Sequence, residues 1–211
     1  VSLLDDLSKS VIDGDLNATQ DQVHLALAEN IPPEKILTVG LIAAMTEVGR
    51  MFENGEFYVP EMLISARAMK GGLGILRPQL AAANIKAIGK VVIGTVEGDL
   101  HDIGKNLVGM MLEGAGFEVI DLGVDVSPEK YVAAVKEHHP DLLGCSALLT
   151  TTMTRMKDIL LSLQAADLRD KVKVMIGGAP VTQQYATEIG ADIYAPDASS
   201  AAQRARQSMQ G

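Results

Sequence analysis

The sequence predicts an α + α/β chain, with a four-helix bundle over residues 1–86 and a doubly wound parallel sheet of five strands over residues 87–211. Three observations predict it. Up to about residue 86 the apolar residues recur at helical spacing, and no segment reads as a strand. From Val91 onward short apolar runs alternate with amphipathic stretches, the pattern of parallel strands and crossover helices. Between the two lies Ala81 to Lys90, a connector of polar and small residues that suits a hinge.

Leu3, Leu4, Leu7 and Val11 mark a first helix, closed by Gly14 and Asp15. Thr19 is placed to cap a second, whose apolar face carries Val23, Ala26 and Leu27. Pro32 and Pro33 open a third, because proline at the first position has no amide to leave unpaired. That helix carries Ile36, Val39, Leu41, Ile42, Met45, Val48 and Met51. After Asn54-Gly55, the run Phe57-Tyr58-Val59-Pro60 leads into a fourth helix from about Glu61 to Leu80. Four amphipathic helices on short connections form a bundle. Methionines 45, 51, 62 and 69 read as core filler. Gly71, Gly72 and Gly74 each cost a helix ~1 kcal/mol relative to alanine. Either a close backbone or cofactor approach or a plain helix crossing would account for them.

In the second half the strands read Val91–Val96, Glu118–Leu122, Leu142–Ser146, Val172–Ile176 and Asp192–Tyr194. The helices read Gly104–Ala115, a stretch opened by Ser127-Pro128-Glu129, Thr152–Leu163, Val181–Ile189 and a tail from Ser199. His138 and His139 fall at a proline-stopped helix end and read as solvated, since adjacent residues do not share a helix face.

A formal net charge of −9 argues against a nucleic-acid partner. No apolar run reaches the ~18 residues of a membrane span. The amino end lacks the order of a signal peptide. The single Cys145 lies in an apolar strand and reads as a buried, inert thiol, so a cytoplasmic location is expected.

The stretch Gly98-Asp99-Leu100-His101-Asp102-Ile103-Gly104 leaves the first strand and enters the first helix of the sheet domain. In doubly wound sheets ligands sit above the carboxyl ends of the strands, where this loop lies. One imidazole stands between two carboxylates. A histidine ligates a metal through one nitrogen when a hydrogen bond fixes the other, and Asp99 is placed to supply it. Gly98 and Gly104 leave backbone bare for a planar cofactor. The same pair could equally tie down a loop. Two further loops open on the same edge, Ser146-Ala147-Leu148-Leu149-Thr150-Thr151-Thr152 and Gly177-Gly178-Ala179-Pro180. Their hydroxyls could bind a ligand or cap the next helix. No Walker loop or dinucleotide fingerprint competes for the site.

Taken together, Asp99-x-His101-x-x-Gly104, Ser146-x-Leu148 and Gly177-Gly178 resemble the signature of cobalamin-binding domains. The stretches Met51 to Pro60 and Ser65 to Lys70 look like the helical cap that precedes such a domain in cobalamin-dependent methyltransferases, methionine synthase included. The resemblance implies a flavodoxin-like (Rossmann-like) sheet and a cobalamin or other corrinoid whose own base is replaced under the cobalt by His101. It further implies that Asp99 holds the histidine and that Thr152 holds Asp99. Gly98, Asp102, Gly104, Ser146, Leu148, Thr150, Gly177, Gly178 and Ala198 would contact the cofactor and its buried tail. Phe52 and Val59 match cap positions that shield the methyl group, although relatives often carry leucine at the second.

The function so implied is that of a corrinoid methyl carrier, a component of a methyltransferase system in one-carbon metabolism. Cobalt would cycle between Co(I) and methyl-Co(III). The donor would be a methylamine, betaine, methanol or a methoxyaromatic compound. The implied partners are a substrate-specific, barrel-type methyltransferase, a second methyltransferase with a pterin or thiol acceptor, and a reductive activase. The 211 residues leave no room for a barrel or a reactivation domain, so a free-standing carrier is expected. Two alternatives share parts of the pattern: a cobalamin-dependent regulator or sensor, and the small subunit of an adenosylcobalamin mutase.

Overall fold

Ser2 starts the first helix: its hydroxyl accepts the Asp5 amide at 3.2 Å, and the Asp5 carboxylate accepts the Ser2 amide at 2.8 Å. The computed structural model, which describes residues 2–210, divides into two compact units. One runs up to Ala87 and takes in Glu113–Gly116; the other comprises Ile88–Leu112 and the chain from Phe117 onward.

The first unit is helical, with α1 (Leu3–Ile12), α2 (Leu16–Ala28), α3 (Pro33–Lys35), α4 (Ala43–Glu53) and α5 (Val59–Ala82). A π-helical segment, Ile36–Ile42, joins α3 to α4 without a break, so the four helices expected from spacing are present as α1, α2, α3 to α4, and α5. A helix of period 3.6 and a π turn are not distinguishable by apolar spacing over seven residues. α2 begins one turn earlier than Thr19 predicts. Asp15 is its cap, accepting the Ala18 amide at 2.9 Å, while Thr19 is fully buried and its hydroxyl donates to the Asp15 carbonyl at 2.7 Å.

Leu7, Val11, Val23, Leu41, Met45, Val48, Met62, Met69 and Leu76 form the buried interior of this unit, so Met45, Met62 and Met69 are core residues. A helix crossing explains two of the α5 glycines. A Cβ on Gly72 would meet Thr19 Cγ2 at 3.0 Å, Leu41 Cδ2 at 3.2 Å and Val23 Cγ2 at 3.3 Å, and one on Gly71 would overlap Leu16 Cδ1. The absent side chains let α2 and α5 approach closely.

The second unit is a parallel sheet of β1 (Lys90–Thr95), β2 (Glu118–Asp121), β3 (Leu142–Ser146), β4 (Lys173–Gly177) and β5 (Ile193–Ala195), in the order β2-β1-β3-β4-β5. It is the flavodoxin-like order. Its helices are α6 (Ile103–Gly114), α7 (Pro128–His138), α8 (Thr150–Met153), α9 (Arg155–Ala165), α10 (Gln183–Ile189) and α11 (Ala198–Ser208). The single helix expected over Thr152–Leu163 is α8 and α9, broken at Thr154. Pro128 and Glu129 occupy the first turn of α7 as expected, and His139 ends it with a left-handed φ of 46°.

β1 is buried along nearly its whole length because helices cover both faces. On one face Val92, Leu143, Cys145, Val174 and Ile176 pack with Tyr131, Val135, Met156, Ile159 and Leu163. Burial pushes the Cys145 thiol up to about 12, which keeps it protonated and unreactive. Among the described residues no helix is long and apolar enough to cross a membrane.

Candidate functional site

Strand order fixes where a site can form. Because β1 lies between β2 and β3, the connections after β1 and β3 diverge at the carboxyl edge and leave a crevice there. The loop after β1 carries Asp99 and His101; the loop after β3 carries Ser146 to Thr152.

Asp99 is the junction of these loops. It is 1% exposed, and four donors surround its carboxylate. Oδ1 accepts the His101 amide at 3.0 Å and His101 Nδ1 at 2.7 Å; Oδ2 accepts the Leu148 amide at 2.8 Å and the Thr152 hydroxyl at 2.6 Å. Burial works to raise its pKa, but the bonds from Thr152, Leu148 and His101 outweigh it and hold the carboxyl well below the usual carboxylate range.

Such a carboxylate only accepts, so Nδ1 of His101 is the donor and the lone pair of the neutral ring lies on Nε2. The histidine side chain is 51% exposed, and its Nε2 makes no hydrogen bond among the described residues. The Thr95 hydroxyl secures the loop by donating to the His101 carbonyl at 2.9 Å.

The depressed carboxyl has a consequence in acid. A group whose pKa is lower folded than unfolded stabilises fully above its unfolded value, about 4, and loses that contribution as pH falls through the folded value. Unfolding free energy should therefore decline below pH about 4 in the wild type. That decline should flatten in Asp99→Asn, measured by urea titration at stepped pH; parallel curves would rule the linkage out.

Gly98 has φ 79°, and Gly104, in the first turn of α6, faces open space with nothing within 4 Å of a Cβ. Asp102 is exposed and accepts the Asn106 side chain at 3.1 Å, a local bond on α6. Ser146 ends β3 half-buried, Thr150 is exposed at the start of α8, and Leu148 is exposed although its amide serves Asp99. Gly177 and Gly178 are required by the sheet itself: a Cβ on Gly177 would stand 2.8 Å from the Ala195 carbonyl oxygen, and one on Gly178 would overlap that of Ala147. Ala198 is buried at the start of α11, behind the Asp197 cap. Phe52 lies in the last turn of α4 and Val59 opens α5, both in the helical unit.

Sequence reasoning passed over Leu100 and Ile103, which flank His101 and are 71% and 77% exposed. Two large aliphatic side chains in a Gly- and Asp-rich loop were the available signal. Exposed to that degree, they gain nothing within the chain and suit a bulky apolar ligand.

The donor set tests the fit of a corrinoid. Among the described residues no three metal-ligating side chains gather, so a metal held by His101 has to bring its other ligands with it. A corrinoid does so. The free Nε2, the apolar flanks and the open space at Gly104 fit such a group.

The chain matches a B12 binding domain family over residues 89–204, and a second family of the same description over residues 3–77. It is similar to a corrinoid protein of Desulfitobacterium hafniense, 43% identical across 97% of this chain and 96% of the relative. It is also similar to dimethylamine corrinoid protein 3 of Methanosarcina acetivorans, at 44% identity over 97% of this chain and 96% of the relative. Among solved structures it resembles a chain of the methanol:cobalamin methyltransferase complex of Methanosarcina barkeri. The TM-score is 0.88 at 30% identity, covering 99% of this chain and 80% of that one.

Proposed function

The chain belongs to the B12 binding domain family, and on that premise we propose that it is a corrinoid methyl carrier in a multicomponent methyltransferase system. The observation that carries the reading is the four-donor lock on Asp99, which leaves His101 with a lone pair on an unbonded Nε2. When bound, the corrinoid supplies a cobalt ion that takes up a methyl group and gives it up again.

The chain's own residues bind and orient. His101 would hold the cobalt through Nε2, and Asp99 fixes the tautomer that makes this nitrogen available. Thr152 and the Leu148 amide keep Asp99 ionised and in place. We assign Gly98, Asp102, Gly104, Ser146, Leu148, Thr150, Gly177, Gly178 and Ala198 to the cofactor and its tail. Phe52 and Val59 are assigned to it on the family resemblance alone.

A substrate-specific methyltransferase, of barrel type, would load the carrier, and a second enzyme with a pterin or thiol acceptor would unload it; a reductive activase would serve both. The similarity to a chain of a methyltransferase complex supports the first of these. The dimethylamine relative favours a methylated amine as donor over betaine, methanol or a methoxyaromatic compound. The lone buried Cys145 fits a reducing cytoplasm.

The test is uptake and turnover. Protein incubated with hydroxocobalamin and desalted is reduced with Ti(III) citrate, then treated with methyl iodide. Retention of an equimolar corrinoid whose spectrum passes to the methylated form on treatment with methyl iodide, and returns to an unmethylated one when the carbon–cobalt bond is photolysed, is the expected result. A chain that retains no corrinoid, or that prefers adenosylcobalamin to methylcobalamin, defeats the proposal.

A further inference from the structure

We propose that Asp125 is a positioning residue for His101, acting through the backbone of Gly98 and Asp99; the inference rests on the corrinoid reading. The bonds to the Asp99 side chain hold its carboxylate but not its main chain. The main chain is held by a third element, the segment between β2 and α7. Its Gly123 carbonyl accepts the Thr95 amide at 3.0 Å, and its Val126 amide donates to the Thr95 carbonyl at 3.0 Å. Asp125 then makes a reciprocal pair. Its amide donates to the Asp99 carbonyl at 3.0 Å, and its carboxylate accepts the Gly98 amide at 2.7 Å across 27 positions of sequence.

Geometry restricts the residue that can do this. Asp125 has φ 52°, in the left-handed region, where aspartate, asparagine and glycine are the residues commonly found. Only the first two also present a side-chain acceptor. A turn needed for chain reversal alone would be served as well by glycine. The Asp125 side chain bonds Gly98 rather than His101, so its effect on the imidazole runs through the position of Asp99, whose carboxylate must meet Nδ1 at 2.7 Å.

Two variants separate the backbone from the clamp. Asp125→Gly keeps the left-handed conformation and removes the acceptor, whereas Asp125→Asn keeps both. In the apo protein at alkaline pH, where an ordinary imidazole is neutral, long-range proton–nitrogen NMR reports the His101 tautomer. Wild type and Asp125→Asn should show the Nδ1–H form alone, and Asp125→Gly a mixture, with Gly98 amide exchange faster by roughly tenfold. Loaded with hydroxocobalamin, Asp125→Gly should lose roughly tenfold in the ratio of histidine-ligated to unligated spectra, and Asp125→Asn no more than about twofold. An Asp125→Gly protein that only unfolds at lower temperature, with wild-type tautomer and spectrum, overturns the proposal; so does an Asp125→Asn that fails to restore them. If wild type retains no corrinoid, the carrier reading falls, and the tautomer in the apo protein still decides for or against Asp125.

Discussion

His101→Ala is expected to abolish the nitrogen-ligated spectrum of the bound corrinoid while leaving the protein folded. The ring supplies only one of the four donors to Asp99; the His101 amide, Leu148 and Thr152 remain, so the carboxylate stays satisfied. Within the sheet unit no second imidazole can substitute, because His138 and His139 end α7, away from the carboxyl edge of the sheet. Affinity for the corrinoid should fall by about 10- to 100-fold, with tail contacts accounting for what remains. Absorption spectra and equilibrium dialysis, beside thermal unfolding, measure both. A variant that keeps the wild-type spectrum would remove His101 from the cobalt.

The largest loss of stability is expected from Gly178→Ala. Its φ of 128° is closed to residues with a Cβ, and the added atom would overlap the Ala147 carbonyl oxygen and stand 2.9 Å from its carbon. Both obstacles are backbone, so no side chain can rotate away. Relief requires the loop after β3 to move, and that loop donates the Leu148 amide and the Thr152 hydroxyl to Asp99. A cost of about 3 kcal/mol or more follows. In a chain of this length that lowers the unfolding midpoint by roughly 6–12 °C. Corrinoid affinity should fall with it. Gly104→Ala, with open space at the same edge, is the control for stability; equal midpoints for the two variants would refute the steric argument.

Much of the fold could be read from local pattern. Leu142–Ser146 is legible to the residue, because a fully buried parallel strand is a continuous apolar run with polar ends. The ends of the other strands differ by at most one residue from those expected, as hydrogen bonding rather than polarity sets them. The helical half was less legible. A buried threonine and a capping threonine look alike in sequence, so the local pattern points to Thr19 where Asp15 is the cap. The glycines of α5 required a crossing partner, α2, that no local window contains.

For the site, the order of residues along the chain already supplies the chemical groups: one imidazole, its neighbouring carboxylate, the hydroxyl-rich loop and the glycine pair, all at strand ends. Side-chain chemistry and strand alternation are properties of the chain alone. Which of these groups meet depends on the fold. The Leu148 amide reaches Asp99 across 49 positions and Thr152 across 53, and Asp125 reaches Gly98 across 27. These contacts exist because β1 pairs with both β2 and β3, which brings three loops to one edge. A backbone amide carries no signature in sequence, so its part in fixing the histidine is visible only once the sheet has placed it.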